Sequence, residues 1–162
     1  MKLPSTDNSS RPTRRGILRL IAAAFAAPHS AFAGTSAILV HKDPSCGCCT
    51  GWVRHLERAG FAVTVKETAD LKAIRKRLAV PADLAACHTA EIQGYVIEGH
   101  VPASAVRQLL EQRPAAVGLA VPGMPAGSPG MEGGPPRRYE VIVFTAGDRK
   151  SFMHFVGTEV VG

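Results

Sequence analysis

Three of the chain's four cysteines, Cys46, Cys48 and Cys49, lie within four consecutive positions. Cys46 and Cys49 have the C-x-x-C spacing that is typical of thiol–disulfide exchange. Cys48 lies inside that pair, where a third thiol would compete with the two-cysteine couple. Three thiolates within one helical turn can instead bind soft metal ions, and Cu(I) accepts two or three sulfur ligands.

The fourth cysteine, Cys87, directly precedes His88 in the segment Ala-Cys-His-Thr-Ala. With Cys87 as a fourth thiolate, the set also suits Zn(II), which takes four ligands in a tetrahedron. A static disulfide from Cys87 to the cluster would close a loop of about 40 residues and contribute about 4 kcal/mol. It would leave two thiols unpaired, which is uncommon in an oxidising compartment. Cu(I) is the expected metal and zinc the alternative.

Methionine and histidine supply further soft donors. Met124 and Met131 lie in the segment Pro-Gly-Met-Pro-Ala-Gly-Ser-Pro-Gly-Met, where a thioether can bind copper or cover an apolar patch. His88 is the best histidine candidate because it adjoins Cys87, and His100 can also face the site. A structural or surface role is the better interpretation for the other histidines after residue 33, which are His41, His55 and His154.

The residues around the cysteines predict a βαβ unit. Apolar, β-branched segments at 36–42 and 62–68 predict two strands. Between them, Trp52, Val53 and Leu56 have helical spacing. The helix begins near Cys48, so the cysteines lie at its positive end, where thiolates are stabilised.

The rest of the chain predicts further α/β structure. Asp70 caps a short basic helix, and residues 82–90 predict a loop with a turn. Residues 94–102 predict a strand, which an amphipathic helix follows up to Pro114. Residues 118–138 are dense in Gly and Pro and predict a long loop, and residues 139–156 predict a hairpin with Gly147 and Asp148 in its turn.

This order predicts an α/β fold with a thioredoxin-like βαβ core, a C-terminal β-hairpin and a long loop rich in Gly, Pro and Met. In such a fold the loop that carries Cys87 lies against the start of the first helix. Cys87 and the cluster at 46–49 are therefore expected to meet.

Residues 1–33 have the pattern of an export signal, with a basic segment, a short apolar run and the cleavage motif Ala-Phe-Ala. Arg14 and Arg15 indicate the twin-arginine route. The mature domain, 34–162, retains 14 basic and 12 acidic residues, a net charge of +2. This balance argues against nucleic-acid binding, and no segment after the signal is long enough to span a membrane.

Five segments together resemble the exported CopG-type copper-resistance proteins: residues 41–56, Gly60-Phe61, 86–90, 94–110 and 118–132. The resemblance covers about 37–156. It implies a thioredoxin-like fold, a periplasmic location and copper binding. It also implies that the four cysteines form the site, in which copper is held as a small thiolate cluster and has redox interplay with the thiols.

The expected function is therefore a periplasmic copper-binding protein for copper resistance or homeostasis, which holds Cu(I) at Cys46, Cys48, Cys49 and Cys87. Its expected partners are copper ions and other periplasmic copper-handling proteins. An enzyme is the first alternative: a thiol–disulfide or copper oxidoreductase with Cys46 and Cys49 as its redox pair. An interaction module stabilised by zinc or by disulfides is the second.

Overall fold

A mixed β-sheet and three α-helices make up residues 37–162, the part of the chain that this computed structural model describes. The expected export signal at 1–33 lies outside the described residues. The elements in chain order are β1 (Ala37–Lys42), α1 (Gly47–Arg58), β2 (Ala62–Glu67), α2 (Leu71–Arg77), β3 (His88–Ile92), β4 (Tyr95–Glu98), α3 (Ala103–Gln112), β5 (Gly118–Ala120), β6 (Arg138–Phe144), β7 (Arg149–Val156) and β8 (Glu159–Val161). The predicted α/β class is confirmed.

The strand order within the described residues is β2-β1-β3-β4-β5-β6-β7-β8. β1 and β2 are parallel and are joined through α1, so the predicted βαβ unit is confirmed at one end of the sheet. β3 pairs antiparallel with both β1 and β4. β4 and β5 are parallel and are connected through α3, and the remaining neighbours are antiparallel.

Within the loop that the sequence predicts at 82–90, Ala82–Leu84 form a 3-10 helix and the last three residues begin strand β3. Its residues are His-Thr-Ala-Glu-Ile, and the first three are all buried, including the two polar ones. Burial therefore does not follow the apolar–polar alternation that marks a strand in the sequence. A two-residue turn of Gln93 and Gly94, both with positive φ, joins β3 to β4.

The long Gly/Pro-rich segment also begins differently from the prediction. Residues 118–120 form β5, which lies between β4 and β6. A Cβ on Gly118 would lie 1.8 Å from the Val96 carbonyl oxygen, so only glycine permits this pairing. The loop proper covers 121–137. The hairpin predicted at 139–156 is confirmed as β6 and β7, with Gly147 and Asp148 in the connection.

Helices α1 and α3 pack apolar faces into the core. α1 buries Cys49, Trp52, Val53 and Leu56, which follow the i, i+3, i+4, i+7 pattern of one helix face. Trp52 is fully buried and its Nε1–H donates to the Val101 carbonyl at 2.8 Å, so α1 is tied to the segment that precedes α3. Trp52 is therefore the hydrophobic anchor of α1.

His55 connects the two helices more closely than its sequence position suggests. Its Nε2 accepts a hydrogen bond at 3.0 Å from the backbone N–H of Ala103, the first residue of α3. Helix α3 starts after Pro102, which has no side-chain acceptor for this N–H group, and the group has no partner within the helix. His55 therefore serves as the cap. The imidazole must be neutral to accept, and burial, followed by the charge of Arg58, lowers the pKa of His55.

This cap predicts a pH-dependent contribution to stability. The pKa of His55 in the folded protein lies below its ordinary value of 6.5, so the unfolded chain binds the proton more tightly. The contribution is complete above pH 6.5 and is lost as the pH falls through the folded pKa. The free energy of unfolding of metal-free protein is measured with urea at pH 7.5 and at pH 5.5. We expect it to fall more between pH 7.5 and pH 5.5 for the wild type than for His55→Gln. Equal falls in the two proteins would contradict this assignment.

Candidate metal centre

The four cysteine sulfurs gather at one place. A disulfide joins Cys46 and Cys49, with their Cα atoms 5.5 Å apart. The Cys48 Sγ lies 3.5 Å from the Cys46 Sγ and 3.9 Å from the Cys87 Sγ. All four Sγ atoms lie within 4.8 Å of one another, so the expected meeting of Cys87 with the cluster at 46–49 is confirmed.

Strand pairing accounts for this meeting. In the antiparallel register of β1 and β3, Lys42 is opposite His88. The C-terminal end of β1, which leads to the cysteine motif, therefore lies beside the N-terminal end of β3, which Cys87 precedes. Cys46 is the N-cap residue of α1, so the motif occupies the first turn of the helix, at the positive end of its dipole.

The turn between β1 and α1 is held by charged side chains. The Asp43 carboxylate accepts hydrogen bonds from both the backbone N–H and the hydroxyl of Ser45. These hydrogen bonds lower the pKa of Asp43. The buried Lys42 ammonium donates to the carbonyls of Asp43 and Pro44, at 3.0 and 3.4 Å, and forms an ion pair with Glu67. The contacts of Lys42 and of Asp43 together fix the direction in which the chain enters the cysteine motif.

Two buried histidines face Cys87. The Cys87 Sγ lies 3.4 Å from the His88 Nδ1 and 3.2 Å from the His100 Nε2. The His100 Nδ1 lies 2.7 Å from the Pro129 carbonyl oxygen and must donate to it, which leaves the lone pair on Nε2 directed at the sulfur. The His88 ring lies against the Trp52 ring, with the centroids 4.2 Å apart and the planes tilted by 36°, and the His88 Nε2 has no hydrogen-bond partner among the described residues.

His100, which the sequence indicated only as a residue that can also face the site, lies nearer to the Cys87 Sγ than His88 does. It lies two positions beyond β4, and its nearest cysteine is 13 positions away in the sequence. Only the pairing of β4 with β3 brings it to Cys87, so local spacing carried little signal.

Burial determines the protonation states of this group. It raises the pKa of the Cys87 thiol to about 12, and the nearby Cys48 adds to the rise. It lowers the pKa of His88 to about 3, with a further contribution from His100, and it also lowers the pKa of His100. At neutral pH the imidazoles are neutral donors and the metal-free Cys87 is a thiol, so a metal ion that binds Cys87 displaces its proton.

The Gly/Pro-rich loop packs directly on the cysteine-bearing turn. A Cβ at Gly130 would lie 2.5 Å from the Cys48 carbonyl oxygen and 2.7 Å from the Trp52 backbone nitrogen. A Cβ at Gly51 would lie 2.8 Å from the Gly130 Cα, so both positions require glycine. With the hydrogen bond of His100 to Pro129, this contact makes the loop a wall of the site.

The two methionines of this loop have different surroundings. Met131 is half-buried and directly follows Gly130, whereas Met124 is 57% exposed. Their roles as copper ligands stay predictions. The expected non-catalytic roles of His41 and His154 fit their contacts, which are with Glu91 and Glu140 respectively.

Comparison with known proteins agrees with this site. A family model described as "Protein of unknown function, DUF411" matches residues 84–131. A solved structure named "Copper resistance protein copG- Form 1" is 46% identical and superposes with a TM-score of 0.70, covering 75% of this chain and 98% of that one. The "Form 2" structure has the same identity and TM-score and covers 74% and 98%.

The chain belongs to the CopG family. The resemblance found in the sequence is thereby confirmed. Among curated proteins, no significant match to the chain is found. Within residues 37–162, no helix of this CopG-family chain combines the length and the apolar character that crossing a membrane requires.

The contact between loop and helix can be tested with alanine. We expect Gly130→Ala to lower the free energy of unfolding by about 1–3 kcal/mol beyond the cost of its positive φ, because a Cβ there overlaps the backbone of α1. Gly123→Ala is the matched control: it has a positive φ in the same loop, but its Cβ would meet no described atom within 4 Å. Urea unfolding gives the stability of both variants, and limited proteolysis reports release of the loop. Equal stability and equal cleavage would contradict this packing.

Proposed function

We propose that this CopG-family chain is a periplasmic copper-binding protein for copper resistance or homeostasis, which holds Cu(I) at a cysteine thiolate cluster. The observation that carries the proposal is the convergence of four sulfurs, from two distant segments, within 4.8 Å. Sulfur ligands favour Cu(I), and the names of both similar structures refer to copper resistance.

The proposed ligands are Cys46, Cys48, Cys49 and Cys87, with His88 and His100 as neutral nitrogen donors. The imidazoles suit this role because burial keeps them unprotonated at neutral pH. Met124 and Met131 are the proposed thioether donors from the loop. Zinc is the competing metal, since four thiolates also suit its tetrahedral preference.

Full use of the cluster requires the reduced protein. With Cys46 and Cys49 joined, the free thiols among the described residues are Cys48 and Cys87. Reduction of the disulfide takes two electrons and two protons and yields two further thiols. The Cu(I)-binding form of the protein is therefore the one in which a reductant has opened this bond.

The disulfide also supports a second candidate function, a thiol–disulfide or copper oxidoreductase. Cys46 and Cys49 are the redox pair, and the Cys48 Sγ lies 3.5 Å from the Cys46 Sγ, close enough to exchange with it after small movements. The position of the pair at a helix N-terminus is one that lowers thiol pKa values in general.

The export signal at 1–33, with its twin-arginine pattern, and a single mature domain at 34–162 belong to the same proposal. So does a thioredoxin-like description of the βαβ unit that carries the cysteines. Other periplasmic copper-handling proteins are the proposed donors or acceptors of the metal.

A Cu(I) titration of the reduced protein under a competing chelator tests the copper proposal. We expect thiolate-to-copper absorption at more than one equivalent in the wild type. Because Cys87 contributes a sulfur from the second segment, Cys87→Ser should lower the stoichiometry or the affinity while circular dichroism stays unchanged. Ser151→Ala, at an exposed position of β7, is the control and should bind as the wild type does.

Other outcomes would favour the alternatives. Reduction of insulin that needs no metal and survives Cys48→Ser would support the oxidoreductase. Tight binding of one Zn(II) with no preference for copper would support a zinc-stabilised module. Identical Cu(I) binding by Cys87→Ser and the wild type would remove Cys87 from the ligand set.

A further inference from the structure

A buried ion pair lies directly behind the Cys87 segment. Glu98, the last residue of β4, has a fully buried side chain. Its Oε1 accepts from the Arg75 Nε at 2.8 Å, and its Oε2 accepts from the Thr89 hydroxyl at 2.6 Å. Arg75 belongs to α2 and is 17% exposed, so the pair links α2, β3 and β4.

The same two side chains hold the backbone of Ala86, the residue before Cys87. The Glu98 Oε1 accepts from the Ala86 N–H at 2.7 Å, and the Arg75 Nη2 donates to the Ala86 carbonyl. Both backbone polar groups of Ala86 are therefore hydrogen-bonded to charged side chains. Gly99 packs against the same residue, since a Cβ there would lie 2.9 Å from the Ala86 Cβ.

A second Arg–Glu ion pair, between the same helix and the sheet, lacks the contacts that the Arg75–Glu98 pair makes with the backbone before Cys87. Arg77, two positions further along α2, donates to Glu91 of β3, which also binds His41. None of the hydrogen bonds described for Arg77 and Glu91 reaches the backbone around Cys87. Buried ion pairs contribute little net stability, so a pair that clamps one ligand-bearing segment is better explained by geometry than by stability.

We infer that Arg75 and Glu98 are positioning residues for the metal site, which set the direction of the Cys87 Sγ through the backbone of Ala86. This inference rests on the proposed Cu(I) site. The guanidinium is needed because its Nε and Nη2, held apart in one rigid plane, reach Glu98 and the Ala86 carbonyl at once, whereas the three N–H donors of lysine all lie on one nitrogen. Thr89 fixes the other carboxylate oxygen, so the carboxylate cannot rotate away.

The test compares Arg75→Lys with Arg77→Lys, the same substitution in the same helix, in reduced protein under a competing Cu(I) chelator. Residues that orient metal ligands typically change affinity by about 10- to 100-fold. We expect Arg75→Lys to weaken Cu(I) binding on the order of 10-fold and Arg77→Lys to leave it unchanged. In a Cys87→Ser background, Arg75→Lys should have no further effect, because its influence passes through that sulfur.

A measurement without metal separates this inference from the proposed function. In a chain where Cys46, Cys48 and Cys49 are replaced by serine, the rate of iodoacetamide reaction at a fixed pH reports the accessibility and the thiolate fraction of the Cys87 Sγ. We expect Arg75→Lys to change this rate several-fold and Arg77→Lys to leave it unchanged. Thr89→Val, which removes only the hydroxyl donor to Glu98, provides the same comparison if Arg75→Lys does not fold.

Two results would overturn the inference: equal alkylation rates in the Arg75 and Arg77 variants, or an equal loss of Cu(I) affinity from Arg75→Lys with and without Cys87. The second result would indicate a general loss of structure. A wild type that does not bind Cu(I) would overturn the proposed function, and the alkylation rates would still decide whether the ion pair orients Cys87.

Discussion

The antiparallel pairing of β1 with β3 is the constraint on which the site depends. The register that places Lys42 opposite His88 brings the exit from β1 and the entry to β3 to the same edge of the sheet. The cysteine motif follows one strand and Cys87 precedes the other, 39 positions beyond Cys48 in the sequence. A slip of one residue would turn each side chain of β3 to the other face and carry His88 away from Trp52. The four sulfurs therefore meet because of strand register, and every later feature of the site builds on that meeting.

Polar interactions refine what the register brings together. Lys42 and Asp43 hold the turn before α1, and Arg75 and Glu98 hold the backbone before Cys87. Charged groups thus fix the direction in which both segments reach the cluster. Proteins commonly use such contacts to hold metal-binding side chains in place before the metal arrives. Burial then keeps His88 and His100 neutral and Cys87 protonated, so that the site carries little charge until a cation replaces the proton.

The Gly/Pro-rich loop completes the surroundings of the cluster. Gly130 and Gly51 allow two backbones to approach where a single Cβ would not fit, and Pro129 accepts the His100 Nδ1–H. This hydrogen bond selects the tautomer whose free nitrogen faces Cys87. The abundance of glycine in the loop, which in the sequence suggested only irregular structure, thus has a packing function at the site.

Strand register produces the convergence of Cys87 on the other cysteines, which the sequence predicted only through a thioredoxin-like order of elements. The sequence by itself determined the α/β class, the βαβ unit, the hairpin after residue 138 and the family, because these follow from local periodicity, turn residues and specific motifs. It missed β3, whose buried polar residues break the alternation of a strand, and β5, which consists of three residues in a glycine-rich run. It indicated His100 only as a residue that can also face the site, and it could not identify the ion pair of Arg75 with Glu98 or the capping role of His55. Those residues act through partners 13 to 48 positions away, and only strand register and helix packing bring such partners within a few ångströms.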